Sequence, residues 1–311
     1  MLVGLPASGK STLSNKIKER IGENCEILSS DNLREELFGD INCQDKNGEL
    51  FDYMNKKTRE YLKNGISVIY DATNINSKRR KNLLKTFNKI LCRKVCIYVA
   101  TPVEECIKRD EVRDKKVGSS VIYKMYNNMQ IPMVYEGWDN IEIHSTVKYK
   151  VRDIDEIINL TYNKYKEFLE NNFPKCLSYN QNNPHHDFTL DEHMYRTYKY
   201  IRDNEQSISC EIASILHDVG KPLVEIKDDN GISHYRNHDN ISAQESVLLL
   251  DKYFTSDIVI EISTLIQLHM RMFDKCAKNK LKNELSEEMY KNLELLHEAD
   301  INSCKNIDKI K

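Results

Sequence analysis

The nine residues Gly4-Leu5-Pro6-Ala7-Ser8-Gly9-Lys10-Ser11-Thr12 constrain this chain more than any other stretch. They satisfy the spacing GxxxxGK[ST], directly after the β-rich pair Leu2-Val3 and at the head of an amphipathic run over 10–21. That strand–loop–helix context is the one in which the spacing has a mechanism. Glycines let a backbone wrap closely around a polyphosphate, the loop N–H groups point inward, and the helix N-terminus adds positive potential. Gly4, Ala7, Ser8, Gly9, Lys10, Ser11 and Thr12 are therefore expected to cradle a nucleoside triphosphate such as ATP. Lys10 is expected to reach the β- and γ-phosphates and the Ser11 hydroxyl to ligate Mg²⁺. A buried central strand usually has about 5–6 residues. Met1-Leu2-Val3 alone precede the loop, so further natural residues are expected before Met1.

The first half continues as an alternation. Residues 25–28, 66–70, 95–99 and 141–143 read as strands, and helical runs over 32–38, up to Lys63-Asn64-Gly65, 77–88 and 102–113 lie between them. This predicts an α/β domain with a parallel sheet and helices on both faces. The second half shows almost no strand pattern. Residues 189–202, 210–219, 242–253, 257–270 and 286–302 repeat apolar residues near 3.6, which predicts an all-α domain. Thr189-x-x-Glu192 and Ser242-x-x-Glu245 read as capping boxes at two helix starts. The expected boundaries are a first domain over 1–150, a connecting helix and linker over 151–176, and a second domain over 177–311. The polar, Asn-rich stretch 171–184 is the linker candidate.

The formal net charge, 46 − 48 = −2, argues by itself against affinity for nucleic acid. The charge is unevenly spread, however. Residues 1–150 carry 26 Lys/Arg against 20 Asp/Glu (+6), and residues 151–311 carry 20 against 28 (−8). The basic half is the one expected to hold a polyanion. No apolar run approaches the ~18 residues of a membrane span, and no signal-peptide pattern precedes the loop, so a cytoplasmic protein without a membrane partner is expected. Nine cysteines without a CxxC support neither a disulfide framework nor a thiolate zinc site.

A phosphate cradle specifies a nucleotide, not a reaction. The second strand runs into Ser29-Ser30-Asp31-Asn32-Leu33-Arg34, with Asp31 at a helix start that favours an ionised carboxylate. The third ends in Tyr70-Asp71-Ala72-Thr73-Asn74, and the basic run Lys78-Arg79-Arg80-Lys81 after it reads as a solvated face. Arg109 and Arg113 stand four apart on one helix face, able to clasp phosphates together. Together with the later Ile131-Pro132 and Glu136-Gly137, these motifs resemble the 5′-OH polynucleotide kinase module of phage and bacterial RNA end-healing enzymes, over about residues 1–150. The resemblance implies a P-loop NTPase fold with Asp31 as general base on a 5′-hydroxyl. It implies that Arg34 binds the phosphate 3′ to the accepting nucleotide and that Asp71 orients Arg34. Arg113, with Arg109, would stabilise the transferring phosphoryl group.

The second half places His193, His217-Asp218, His238, His269 and Asp300 on or beside different predicted helices, which can converge in a bundle core. Imidazole and carboxylate ligands suit Mn²⁺, Fe²⁺, Co²⁺, Ni²⁺ or Zn²⁺, and such a cation activates water for phosphoester cleavage. His185-His186, His234, His297 and His144 read as surface or structurally partnered histidines, and Arg271 fits either a phosphate contact or the surface. Leu216-His217-Asp218-Val219-Gly220-Lys221-Pro222, with His193 and Asp300, resembles the HD phosphohydrolase superfamily over residues 177–311. Tyr235-Arg236-Asn237-His238-Asp239 with Ser242-Ala243 is similar to the HD domain fused to certain tRNA nucleotidyltransferases, a subgroup acting on 2′,3′-cyclic and 2′-phosphates. The resemblance implies His193, His217, Asp218 and Asp300 as metal ligands. It gives His238 and His269 a second metal or the substrate phosphate, and Lys221 a phosphate contact.

The fusion narrows the choice. RNA broken by metal-independent nucleases carries a 5′-OH and a 2′,3′-cyclic phosphate, which a kinase and a phosphoesterase in one chain would heal for a separate RNA ligase. RNA or DNA ends are the expected partners. The alternatives are a small-molecule or nucleoside kinase fused to an HD nucleotidase, and a kinase regulated by a binding-only second domain.

Overall fold

A computed structural model describes residues 1–40, 43–145, 154, 157–204 and 207–305. Five parallel strands form the first sheet: β1 (Leu2–Val3), β2 (Cys25–Ser29), β3 (Ser67–Asp71), β4 (Val95–Ala100) and β5 (Asn140–Ser145), in the order β2-β3-β1-β4-β5. Leu2 stands opposite both Asp71 and Ile97, so the two-residue β1 occupies the centre. Between the strands run α1 (Lys10–Ile21), α2 (Ser30–Phe38), α3 (Asn47–Lys63), α4 (Ser77–Thr86), α5 (Val103–Val112) and α6 (Ser119–Asn128).

Side-chain alternation explains why both faces are covered. Cys25, Ile69 and Leu2 pack with Leu13 and Ile17 of α1 on one face. Their neighbours Leu28 and Tyr70 pack with Leu50 and Met54 of α3 and Leu83 of α4 on the other. Parallel strands place all their C-terminal ends on one edge, so Gly4, Ser29 and Asp71 open on the same side.

The chain divides into two compact units, Met1–Tyr126 with Pro132–Lys148, and Asn127–Ile131 with Tyr149–Lys311. The helices of the second unit are α7 (Tyr162–Asn172), α8 (Leu190–Asn204), α9 (Ile208–Leu216), α10 (Lys221–Val224), α11 (His238–Leu250), α12 (Ser256–Leu268), α13 (Lys275–Glu284) and α14 (Glu287–Ser303), with a two-strand hairpin β6 (Ile226–Lys227) and β7 (Ser233–His234). From Cys210 to Leu216 every residue of α9 is buried, as expected of a helix enclosed by others. Residues 127–131 are held in this unit by Gln244 and Asn240 of α11 and Gln267 of α12, through Met129 O, Asn127 O and the Ile131 N–H. No helix among the described residues is long and apolar enough to cross a membrane.

Two sequence readings change. Ser242 does not cap a helix: α11 starts a turn earlier, after Asn237 in the left-handed conformation, and the buried Ser242 Oγ accepts the Gly220 N–H at 2.9 Å. The stretch 171–184 is not a spacer. Cys176 and Gln181 are buried, and Gln181 holds both Lys221 and the Tyr235 hydroxyl, so its polar residues pair inside the unit. The α13 helix escaped the apolar pattern because Leu281 is its one buried residue; Asp274 caps it instead, accepting the Ala277 N–H at 2.7 Å.

Candidate active sites

At the first sheet's edge the loop 4–9 folds tightly. Gly4 N donates to Thr73 O at 3.1 Å, and Asn74, at φ +49°, donates to Leu2 O at 2.7 Å, fastening the segment after β3 to the loop. A Cβ on Gly4 would meet Ser8 Oγ and Val99 O at 2.9 Å, so this closeness requires glycine. Lys10 Nζ turns back into the loop, donating to Leu5 O (2.6 Å) and Gly4 O (3.1 Å). The Ser11 hydroxyl donates to Asp71 Oδ2 at 3.1 Å. A hydroxyl beside a carboxylate is an oxygen donor set suited to Mg²⁺. Burial pushes the Lys10 ammonium down and the Asp71 carboxyl up, and each charge partly offsets that on the other. Thr12 is exposed on the first turn of α1.

Asp31 and Arg34 form an ion pair at 3.1 Å, and Arg34 Nη2 donates to Asn47 Oδ1 at 2.9 Å. The Asp31 side chain is 63% exposed, while that of Arg34 is 6% exposed. The arginine therefore lies beneath the carboxylate and holds it. Asp71, to which the resemblance gave the orienting of Arg34, is turned to Ser11, while Asp31 and Asn47 bond to the Arg34 guanidinium. Arg109 Nη1 donates to Ser8 O at 3.3 Å, against the loop. Arg113 ends α5 on Asp110 at 2.6 Å, and Asp110 also accepts the Val117 and Gly118 N–H groups. These donors outweigh burial and hold the Asp110 carboxyl below its usual range.

In the second unit all the predicted histidines and aspartates converge. His193 and His217 Nε2 lie 3.3 Å apart, with Asp300 Oδ1 3.1 Å from His193 and Asp218 Oδ2 3.3 Å from His217. The other oxygen of Asp218 lies 3.0 Å from His238 Nε2 and 3.7 Å from His269 Nε2, and those two nitrogens are 3.2 Å apart. Asp218 thus divides its carboxylate between two imidazole sets.

Each ring is turned the same way. Nδ1 of His217, His238 and His269 lies 2.7–2.8 Å from Ser214 O, Tyr235 O and Ile266 O, and His193 Nδ1 lies 3.3 Å from Ser303 O. A carbonyl only accepts, so the proton belongs on Nδ1 and the Nε2 lone pairs converge, the arrangement that fixes metal-ligating histidines. Burial opposes charge on His217, yet Asp218 and Asp300 push it up to about 10. The two aspartates are themselves held well below the usual carboxylate range despite burial, by His217, Lys221 and His193. The cluster thus favours positive charge where the Nε2 atoms meet, and its donors fit one or two divalent cations of the borderline class. Lys221 Nζ closes the site, 2.7 Å from Asp218 Oδ2.

A family model described as an AAA domain matches residues 1–132, and one described as an HD domain matches residues 190–302. The chain is 30% identical over 181 residues to the L-seryl-tRNA(Sec) kinase of Methanococcus maripaludis, which covers 56% of this chain and 70% of that protein. The chain belongs to this kinase family. In this chain a kinase-like P-loop domain is fused to an HD phosphohydrolase domain, which supports kinase and hydrolase chemistry in one protein.

Sequence reading missed several residues of these sites. Arg80 is buried in a bidentate pair with Glu136 (2.6 and 2.8 Å), and its Nη1 donates to Asn74 O. His186 is half-buried with Nε2 3.4 Å from Lys221 Nζ, and burial first, then Lys221, hold it down to about 3. Burial pushes the neighbouring Cys304 thiol up to about 12. Asn47 and Gln181 carried no motif at all.

Proposed function

We propose that this chain is a bifunctional RNA end-healing enzyme. Its first unit phosphorylates 5′-hydroxyl ends with ATP, and its second removes 2′,3′-cyclic, 2′- or 3′-phosphates. The observation that carries the reading is Asp218, whose two oxygens serve two imidazole pairs while Lys221 stands at 2.7 Å, in the same chain as a kinase site with an exposed carboxylate at Asp31. One site adds phosphate to a hydroxyl; the other takes phosphate away.

Asp31 accepts the proton of the attacking hydroxyl, held in place by Arg34, which donates in turn to Asn47. Lys10 and Arg109, with Arg113 behind them, meet the charge that develops on the transferring phosphoryl group. Ser11 and Asp71 would hold Mg²⁺, and in the second unit His193, His217, Asp218 and Asp300 would hold one divalent cation and His238 and His269 another through Asp218. Such a cation supplies Lewis acidity and an activated water for phosphoester cleavage. The surrounding carbonyls keep the four rings oriented, and Lys221 adds positive charge beside the reacting phosphate. The 3′-end activity and a separate ligase belong to the same reading.

A second reading follows from the relative named as L-seryl-tRNA(Sec) kinase: the accepting hydroxyl is a seryl side chain on charged tRNA. One assay separates the two. ATP-dependent labelling is measured on a 5′-OH oligonucleotide and on seryl-tRNA, and phosphate release on oligonucleotides with cyclic, 2′- and 3′-phosphate ends. Lys10→Ala and Asp31→Ala should lower 5′ labelling by roughly 10²–10⁴-fold, the usual contribution of such groups, and leave phosphate release intact. Asp218→Ala should do the reverse. Labelling of seryl-tRNA with none of the oligonucleotide would replace the first reading by the second.

A further inference from the structure

An ammonium has three N–H donors and accepts nothing. Lys221 Nζ has three neighbours to receive them: Asp218 Oδ2 at 2.7 Å, Gln181 Oε1 at 2.8 Å and His186 Nε2 at 3.4 Å. The amide of Gln181 is oriented for this, since its Nε2 donates to Phe188 O at 3.3 Å. His186 can receive the third only as a neutral ring with a lone pair on Nε2, which leaves its own proton on Nδ1. That nitrogen is buried, and no described residue bonds to it. The ring stands edge-on to the His193 ring, with centroids 5.1 Å apart, at the side of the metal-ligand cluster.

We infer that His186 is a phosphate-binding residue of the second unit, its Nδ1–H being the donor to a non-bridging oxygen of the substrate's terminal phosphate. An unpaired buried donor carries a desolvation cost unless a ligand supplies the acceptor. An anion supplies it. His186, His193 and Cys304 also lie close enough together to share a cation, and the metal count below separates that occupant from an anion. Lys221 has its three donors committed, so beyond the positive charge it brings to the site it acts by fixing the His186 tautomer. The inference rests on the phosphate-removing role proposed above.

The test uses three substitutions in the full chain. The amide nitrogen of Asn stands close to Nδ1 of His, whereas that of Gln stands close to Nε2. With manganese-loaded protein, His186→Ala should raise KM for phosphate release from a 3′-phosphorylated oligonucleotide roughly tenfold or more, as loss of a hydrogen bond to a charged group implies, with kcat changed far less. Affinity for inorganic phosphate, measured calorimetrically, should fall by the same factor. His186→Asn should recover most of both, and His186→Gln should not. Bound metal per chain and 5′ labelling by the first unit should stay at wild-type levels.

Unchanged KM and phosphate affinity in His186→Ala would overturn the inference. So would loss of a metal equivalent, or equal recovery by Gln. If wild-type protein releases no phosphate from any end, the functional reading fails instead, while the inorganic phosphate measurement still decides the role of His186.

Discussion

Arg80 lies in a run of four basic residues, and its side chain is 1% exposed. Its guanidinium meets both oxygens of Glu136, and the Trp138 indole N–H donates to the same carboxylate at 3.0 Å. A charge this deep is tolerable only with its partner present, so removing one partner should cost far more than removing both. Glu136→Ala is expected to destabilise the first unit by about 3–5 kcal/mol, and the pair Arg80→Met with Glu136→Leu to recover most of it. Urea unfolding followed by fluorescence of Trp138, the one tryptophan in the chain, reads the effect locally. A cost for Glu136→Ala as small as that of an exposed pair, under about 1 kcal/mol, would show that water reaches the ion pair. The composition of 78–81 suggested a solvated face, but the spacing did contain the signal. Arg80 is three residues after buried Ser77 and three and four before buried Leu83 and Leu84, on the inward stripe of α4. His217, Asp218, His193 and Asp300 were legible because adjacent or periodically placed imidazoles and carboxylates on apolar helices have few other uses. Asn47, Gln181 and His186 were not, because their roles come from contacts 13 to 40 residues away in sequence.

At the level of elements, the hydrolytic site depends on how closely α11 approaches the turn after α9. Gly220 sits there with ordinary helical dihedrals, so backbone freedom is not what requires it. A Cβ would stand 2.6 Å from His238 O, 2.9 Å from Ile241 Cβ and 2.9 Å from Ser242 N. Two of these are backbone atoms of α11, which cannot move aside as a flexible side chain could. Gly220→Ala should therefore displace α11 and carry His238 away from Asp218. The expected cost is about 1–3 kcal/mol of stability in the second unit, as for other overpacked cores, with at least tenfold loss of phosphate release and unchanged 5′ labelling. Retention of full phosphate release would mean that the turn yields and α11 does not. Element types were readable from periodicity, since the chain switches from strand–helix alternation to uninterrupted 3.6 repeats. Helix starts were less so: α11 begins at a left-handed asparagine and leaves Ser242 in its interior, a start that a capping-box pattern cannot reveal.

For the whole molecule, the uneven charge is the property that a polymer substrate would exploit. The +6 of residues 1–150 and −8 of residues 151–311 cancel to −2, so the net charge alone hides the positive balance of the kinase half. Neutralising phosphates of a single strand releases counterions, and log affinity then falls with log salt by about 0.7 for each phosphate engaged. A nucleoside 3′-monophosphate offers one phosphate, while an oligonucleotide offers a row of them. In a kinase assay run across roughly 50 to 200 mM salt, the range over which such contacts are lost, the Michaelis constant should therefore rise steeply for a decanucleotide bearing a 5′-hydroxyl. For the nucleoside 3′-monophosphate it should rise only slightly. On the proposal that the second unit engages the terminal group alone, its phosphate release should follow the shallower line both for a decanucleotide bearing a 3′-phosphate and for the nucleoside 3′-monophosphate. Equal slopes for the long and short acceptors would remove the polynucleotide from the reading of the first unit and leave a small-molecule kinase in its place.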